Sequence, residues 1–260
     1  KGLPPGSTTD DTAMARNLWT SLIATGGELD TDDVLRRHLA WLSTSPPDVG
    51  NLSRRVLSAW RDGHPDAARD YVARHGPEVS AGNGSVMYCA PLGLAYARRP
   101  HDLHEAAPRL SAITHADERC RTACLAVTLV AGSFVRGDAP EAAVRDALAA
   151  IDGREGAEEL EHLVGAAGIE RPIDGPDQGF VLFAAGVALR LAGEGRDVEE
   201  GLGVAVGFGG DTDTNGAVTG ALLGARAGAT GLPSTWLERL AERPAIEAEA
   251  RMLAATVAMG

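Results

Sequence analysis

Apolar residues recur at spacings of three and four along most of the chain, the repeat of one buried face on a 3.6-residue helix. The pattern predicts helices over Ala13 to Ala24, Thr31 to Leu42, Leu52 to Trp60, Pro65 to Arg74, Met87 to Arg98 and Leu103 to Ile113. It resumes over Glu118 to Phe134, Pro140 to Ala150, Gly156 to Val164, Gln178 to Leu191, Asp197 to Val206, Thr214 to Arg226, Thr235 to Arg243 and Ala245 to Val257. No comparable run alternates with period two, so the expected fold class is all-α. Start signals agree: Thr31 and Asp32 ahead of Val34, Pro140 followed by Glu141, and Ser234 or Thr235 ahead of Trp236 can satisfy open amides in a first turn. Gly216, Gly220, Gly224 and Gly228 fall every four residues and predict a bare strip on which a neighbouring helix packs closely.

Composition supports helix on helix. Hydrophobic residues make up 44% of the 260 but aromatics only 4%, so the interior must be built from Ala, Leu, Val and Gly. No linker-like stretch divides the chain, and a single domain over 1–260 is expected. A formal net charge of -12 argues against a nucleic-acid or anionic-membrane partner. The apolar stretches Phe180 to Ala192 and Ala217 to Ala229 are too short for a membrane span. Three cysteines, with Cys120 and Cys124 four apart in predicted helix, read as reduced core residues and suggest a cytoplasmic setting.

Two segments carry most of the chemistry: Thr9-Asp10-Asp11-Thr12 near the start, and Gly209-Gly210-Asp211-Thr212-Asp213-Thr214 about two hundred residues later. Carboxylates and hydroxyls are hard donors suited to magnesium, manganese or calcium, whereas zinc and copper sites draw on His and Cys. Four acids in one place repel unless divalent cations lie among them. Two bland readings compete: Thr9 or Asp10 and Asp211 or Asp213 could simply cap two helices, or Asp-Thr-Asp-Thr could be the nucleophile motif of a haloacid-dehalogenase-like phosphatase, which should follow a buried strand.

The two segments together resemble the signature of the ADP-ribosylglycohydrolase family. The run GGDTDTNGAVTGALLGARAG from Gly209 to Gly228 looks like its C-terminal motif, and TDDTAM at Thr9 to Met14 like its N-terminal partner. Between them PPDVGN at Pro46 to Asn51, GNGSVM at Gly82 to Met87 with APLGL from Ala90, and Thr114-His115 fall in the family's order.

The resemblance implies an orthogonal multi-helix bundle with a central dinuclear metal cleft, two Mg2+ or Mn2+ ions being held by Thr9, Asp10, Asp11, Asp211, Asp213 and Thr214. It implies removal of ADP-ribose from an ADP-ribosylated protein by cleavage at the ribose anomeric carbon, with Asp48, Asp11 and Asp213 as the catalytic candidates. Substrate would contact Asp10, Asp48, Gly50, Ser80, Gly82, Asn83, Gly84, Ser85, Met87, His115, Gly209 and Gly210. The small-residue loop from Ser80 to Ser85, with a helix expected near Met87, suits a diphosphate. Asp48, stiffened by two prolines, is a natural partner for guanidinium and favours an arginine linkage over serine. The alternatives are a serine-linked or other conjugate, and a non-catalytic ADP-ribose-binding or purely structural relative.

Three departures bear on these expectations. Family members usually carry an earlier helix with a Gly-Asp-x-x-Gly motif and a glutamate that reaches the metals, whereas this sequence starts at Lys1, eight residues before Thr9. The expectation is an upstream trim, or else a more open cleft with one ligand gone. Tyr88 stands where many members have arginine, and Ala81 offers no aromatic surface to adenine.

Overall fold

In the computed structural model, which describes residues 3–165, 175 and 177–259, the backbone forms fourteen α-helices and, among the described residues, no strand. Lys1 lies outside the described residues. In chain order the helices are α1 (Asp10–Ala24), α2 (Thr31–Ser43), α3 (Asn51–Arg61), α4 (Ala67–His75), α5 (Ala90–Ala95), α6 (Leu103–Ser111) and α7 (Glu118–Arg136). They continue as α8 (Pro140–Ala150), α9 (Ala157–Val164), α10 (Val181–Gly193), α11 (Val198–Gly207), α12 (Thr212–Ala227), α13 (Ser234–Leu237) and α14 (Arg243–Met259).

Periodicity and structure part company where tertiary contacts overrule it. The helix predicted over Met87 to Arg98 is a 3-10 turn at Val86–Tyr88 followed by the short α5, whose first turn holds Pro91. The one predicted from Gln178 begins at Val181, because Phe180 pairs with Gly82 in an isolated β-bridge. The one predicted over Thr235 to Arg243 shrinks to α13. At α2 the cap is Asp30 rather than Thr31 or Asp32: its carboxylate accepts from the amides of Asp32 and Asp33 at 3.0 and 2.9 Å.

α7 is the centre of the molecule. From Cys120 to Phe134 only Arg121 and Leu129 escape full burial, and α5, α6, α8, α10 and α12 pack around it. Its contact with α5 is made by backbone: a Cβ on Gly93 would lie 2.2 Å from the carbonyl oxygen of Thr128, and one on Gly132 2.9 Å from that of Gly93. The strip on α12 is looser than expected. Cβ atoms at Gly216, Gly220 and Gly224 would meet neighbours only at 4.0, 3.5 and 3.9 Å, and Gly228, at φ +66, closes the helix. Small residues therefore set the helix spacing at α5–α7.

α1 is held from both sides. Met14, Leu18 and Leu22 enter the core. On the outer face Glu249 of α14 accepts from Arg16 Nε at 3.0 Å, Arg16 Nη2 at 2.6 Å and Trp19 Nε1 at 2.8 Å. Cys89, Cys120 and Cys124 are buried and free of disulfides. No helix of the described residues is long and apolar enough to cross a membrane.

Gly93→Ala must push α5 off α7 or displace backbone, since no flexible side chain is there to yield. We expect a loss of about 2–3 kcal/mol, read as a lower midpoint in urea or heat. Wild-type stability in this variant would show that the α5–α7 spacing is not limiting.

Candidate functional site

α1 and α12 begin side by side, their first turns facing a cleft of about 880 Å³. Asp10, Asp211, Thr212, Asp213 and Thr214 line it from these two starts. Aligned peptide dipoles leave positive partial charge at a helix N-terminus, which favours carboxylates there. Gly209 and Gly210, at φ +76 and +68, make the tight left-handed turn that brings α11 into α12. Buried Asn215 steadies that turn by donating from Nδ2 to the Gly209 carbonyl at 3.3 Å.

The capping explanation fails on geometry. Thr9 and Asp211 occupy the N-cap positions of α1 and α12, yet neither side chain caps its helix. The Thr9 hydroxyl instead donates to Asp11 Oδ2 at 2.7 Å, and Asp211 Oδ2 accepts from Asn83 Nδ2 at 2.8 Å. Asp10 Oδ2 accepts from the Gly50 amide at 2.9 Å, pinning the loop that carries Asp48. The phosphatase alternative fails too, because the segment before Asp211 is helix α11 and not a strand.

Asp11 lies just behind the cleft floor, 2% exposed, with Oδ1 lacking any hydrogen-bond partner. Burial pushes its carboxyl up to about 6; the Thr9 and Thr214 hydroxyls oppose the rise, and the charges of Asp10 and Asp213 add to it. An orphaned buried oxygen among like charges is a place where a cation relieves an electrostatic cost. The donors are all hard oxygens, and their chemistry fits magnesium or manganese. Among the described residues, no group of three or more His, Cys, Asp or Glu side chains is placed to hold a metal ion.

The opposite wall is the Gly82–Gly84 turn. It is clamped to the chain ahead of α10 by the Asn83 amide on the Gly179 carbonyl at 2.9 Å and the Val181 amide on the Ala81 carbonyl at 3.0 Å. His115 lies beneath it: a Cβ on Gly84 would come within 2.7 Å of the ring and 2.9 Å of Ser53 Oγ. Burial pushes the His115 imidazole down to about 4, with Asp117 opposing, so it meets the cleft neutral. Its Nδ1 is bonded to Thr114 Oγ1 at 2.9 Å.

Asp48, Gly50, Gly82, Asn83, Gly84, Met87, His115 and Gly210 all line the cleft with the acids. Ser80, Ser85 and Gly209 do not. Ser80 is buried with its hydroxyl on the Gly76 carbonyl, and Ser85 is buried against Ser111 and Cys124. The turn opens into a 3-10 turn rather than a helix, and its Asn83 amide is already engaged. Asn51 and Thr212, inside the singled-out motifs, also line the cleft, as do Gln178, Gly179, Leu52, Ser53 and Leu3, which the sequence did not mark. Gln178 and Gly179 were concealed inside an apparent helix start.

A model of the ADP-ribosylglycohydrolase family matches residues 1–259. The chain belongs to the ADP-ribosylglycohydrolase family. It is 32% identical over 239 residues, 92% of its length and 75% of the relative's, to the ADP-ribosyl-[dinitrogen reductase] glycohydrolase of Rhodospirillum rubrum. It is 22% identical over 258 residues, 96% of its own length and 68% of the other's, to the ADP-ribosylarginine hydrolase Tri1 of Serratia proteamaculans (strain 568). A solved ADP-ribosylglycohydrolase-related protein complex contains a chain 36% identical in sequence, superposing with a TM-score of 0.78 over 98% of this chain and 83% of its own. The all-α architecture is thus that of the family.

Asp11 supplies a pH test. Its folded-state pKa is raised above the ordinary 3.8 to about 6, so the cation-free fold binds a proton more tightly than the unfolded chain. That contribution is complete below pH 4 and is lost as pH rises through 6, a swing of about 3 kcal/mol. Asp11→Asn in chelator is therefore expected to stabilise the fold at pH 8 and change little at pH 4. Equal effects at both would contradict the buried, repelled state of this carboxyl.

Proposed function

We propose that this member of the family is a magnesium- or manganese-dependent hydrolase that removes ADP-ribose from ADP-ribosyl-arginine in a modified protein. The observation that carries the reading is the meeting of the α1 and α12 starts at one cleft, their acids turned away from capping and one buried Asp11 oxygen left without a partner. Thr9, Asp10, Asp11, Asp211, Asp213 and Thr214 are the donors to two cations. When bound, these ions supply Lewis-acid polarisation and grip for the ribose hydroxyls beside the anomeric carbon.

The chain's own groups do the rest. The bond that breaks joins the anomeric carbon to the guanidinium nitrogen; the bond that forms joins that carbon to a water oxygen. Asp213 on the cleft floor, with Asp11 behind it, takes up the proton that water sheds, and that proton is returned to the leaving nitrogen, which departs as guanidinium. Asp48, in the loop held by Asp10 through the Gly50 amide, pairs with the guanidinium and orients the leaving group. The Gly82–Gly84 turn and neutral His115 face the diphosphate, His115 as a hydrogen-bonding group rather than a charge. The two named relatives, one acting on dinitrogen reductase and one on ADP-ribosylarginine, make protein-linked ADP-ribose the natural substrate class.

ADP-ribose release from arginine-linked and serine-linked peptides, with magnesium and with chelator, tests the reading. Magnesium-dependent release from the arginine peptide is expected; release from serine alone would reassign the linkage, and binding without release would make the chain a reader of ADP-ribose.

Asp48→Ala should lower kcat/KM on the arginine linkage about 10- to 100-fold while sparing ADP-ribose affinity, and unchanged turnover would remove Asp48 from the mechanism. Asp211→Ala should weaken magnesium and ADP-ribose binding together. Retention of both would sink the assignment of the donors.

A further inference from the structure

The face of α3 that walls the cleft runs on into a second hollow. Leu52, Val56 and Ala59 recur at four and three and share one face of the helix. Leu52 lines the cleft, while Val56 and Ala59 floor a recess of about 220 Å³ between α3 and α4. From Leu52 to Ala59 the helix rises about 10 Å, the reach of three extended residues.

The walls of this recess carry two arginines and three aromatic rings. Arg55 and Arg74 line it with His64, Tyr71 and His75, and no carboxylate does. The rings of Tyr71 and His75 stack at 4.1 Å and 19°, making one side rigid. Among the described residues Arg55 and His64 form no ion pair, and Arg74 meets only the exposed Asp70, at 3.2 Å, on the rim. Such a gathering stands out in a chain of net charge -12. The net charge of the chain opposes approach of an acidic protein, so an arginine-lined hollow beside the cleft would favour one orientation of it. Guanidinium forks match carboxylates.

Resting on the hydrolase reading above, we infer that this recess is an exosite for an acidic side chain of the ADP-ribosylated protein, a few residues from the modified arginine. The polypeptide leaves the cleft over Leu52 and passes above buried Val56, and its carboxylate settles between the exposed side chains of Arg55 and Arg74.

The test compares three substrates: free ADP-ribosyl-arginine, and two ADP-ribosylated peptides that differ only in carrying two glutamates or two glutamines beside the modified arginine. At low salt the glutamate peptide is expected to show a kcat/KM about tenfold higher, a preference that 0.5 M salt removes. Arg55→Glu with Arg74→Glu erases the preference and leaves free ADP-ribosyl-arginine unaffected; Arg55→Gln with Arg74→Gln does so without a charge reversal. In parallel, fluorescence anisotropy follows a fluorescein-labelled, unmodified glutamate peptide on wild type and variants, a readout that needs no turnover.

Equal kcat/KM for the two peptides on wild type, or a preference that survives both double variants, overturns the exosite. If none of the three substrates is turned over, the hydrolase reading fails, and anisotropy decides the recess alone. Binding lost in the variants keeps it as an acidic-peptide site, and binding equal in all three proteins removes it.

Discussion

The repulsion among carboxylates at two helix starts is the constraint to which the rest of the fold answers. Asp10 and Asp11 open α1, Asp213 lies in the first turn of α12, and the charges of Asp10 and Asp213 both act on buried Asp11. The positive ends of two helices offset part of that cost. The remainder must be met by packing that prevents α1 and α12 from drifting apart. Met14, Leu18 and Leu22 fasten α1 inward, and Val218 and Leu222 fasten α12. Glu249 clamps the outer face of α1 through Arg16 and Trp19. Behind them α7 makes the rigid back wall, its distance from α5 fixed by backbone meeting backbone at Gly93 and Thr128.

The acids are also the rivets of the cleft's walls. Asp10 holds the Gly50 amide and so fixes the entry to α3; Asp211 holds the Asn83 side chain and so fixes the Gly82–Gly84 turn. These bonds join segments 40 and 128 residues apart in the chain. Any change in charge at the floor therefore reaches the loop bearing Asp48 and the turn over His115.

What the sequence discloses is what repeats or clusters locally. Apolar spacing finds α2, α7 and α8 almost to the residue, and doubled acids beside hydroxyls single out Thr9 to Asp11 and Asp211 to Thr214 without any knowledge of their meeting. Boundaries fail where a distant partner decides them. Phe180 reads as part of a helix until Gly82 pairs with it, and that pairing leaves Gln178 and Gly179 at the cleft. Ser80 and Ser85 look like ligand-facing hydroxyls in a small-residue loop, yet each is turned inward to a partner that adjacency in sequence does not indicate. Gly216 and Gly220 advertise a close helix contact, while the contact that needs glycine lies at Gly93 and Gly132, where no periodic signal marks them. Arg55, His64, Arg74 and His75 are likewise scattered among ordinary surface charges until α3 and α4 fold together.

α3 then ties these levels into one object. Its N-cap, Gly50, is the residue that Asp10 grips, so the helix takes its position from the acidic floor. Its first turn walls the cleft and its middle floors the arginine-lined recess. A helix carries displacement along its axis as a stiff rod, whereas a loop dissipates it. Asp10 is tied to the start of α3 through its side chain, and from Gly50 onward the spacing to the recess is set by the helix backbone. The acidic floor beside its N-cap and the arginine-lined recess along its middle are thereby linked by one rigid element, the arrangement that the proposed conversion of protein recognition into orientation of a single bond requires.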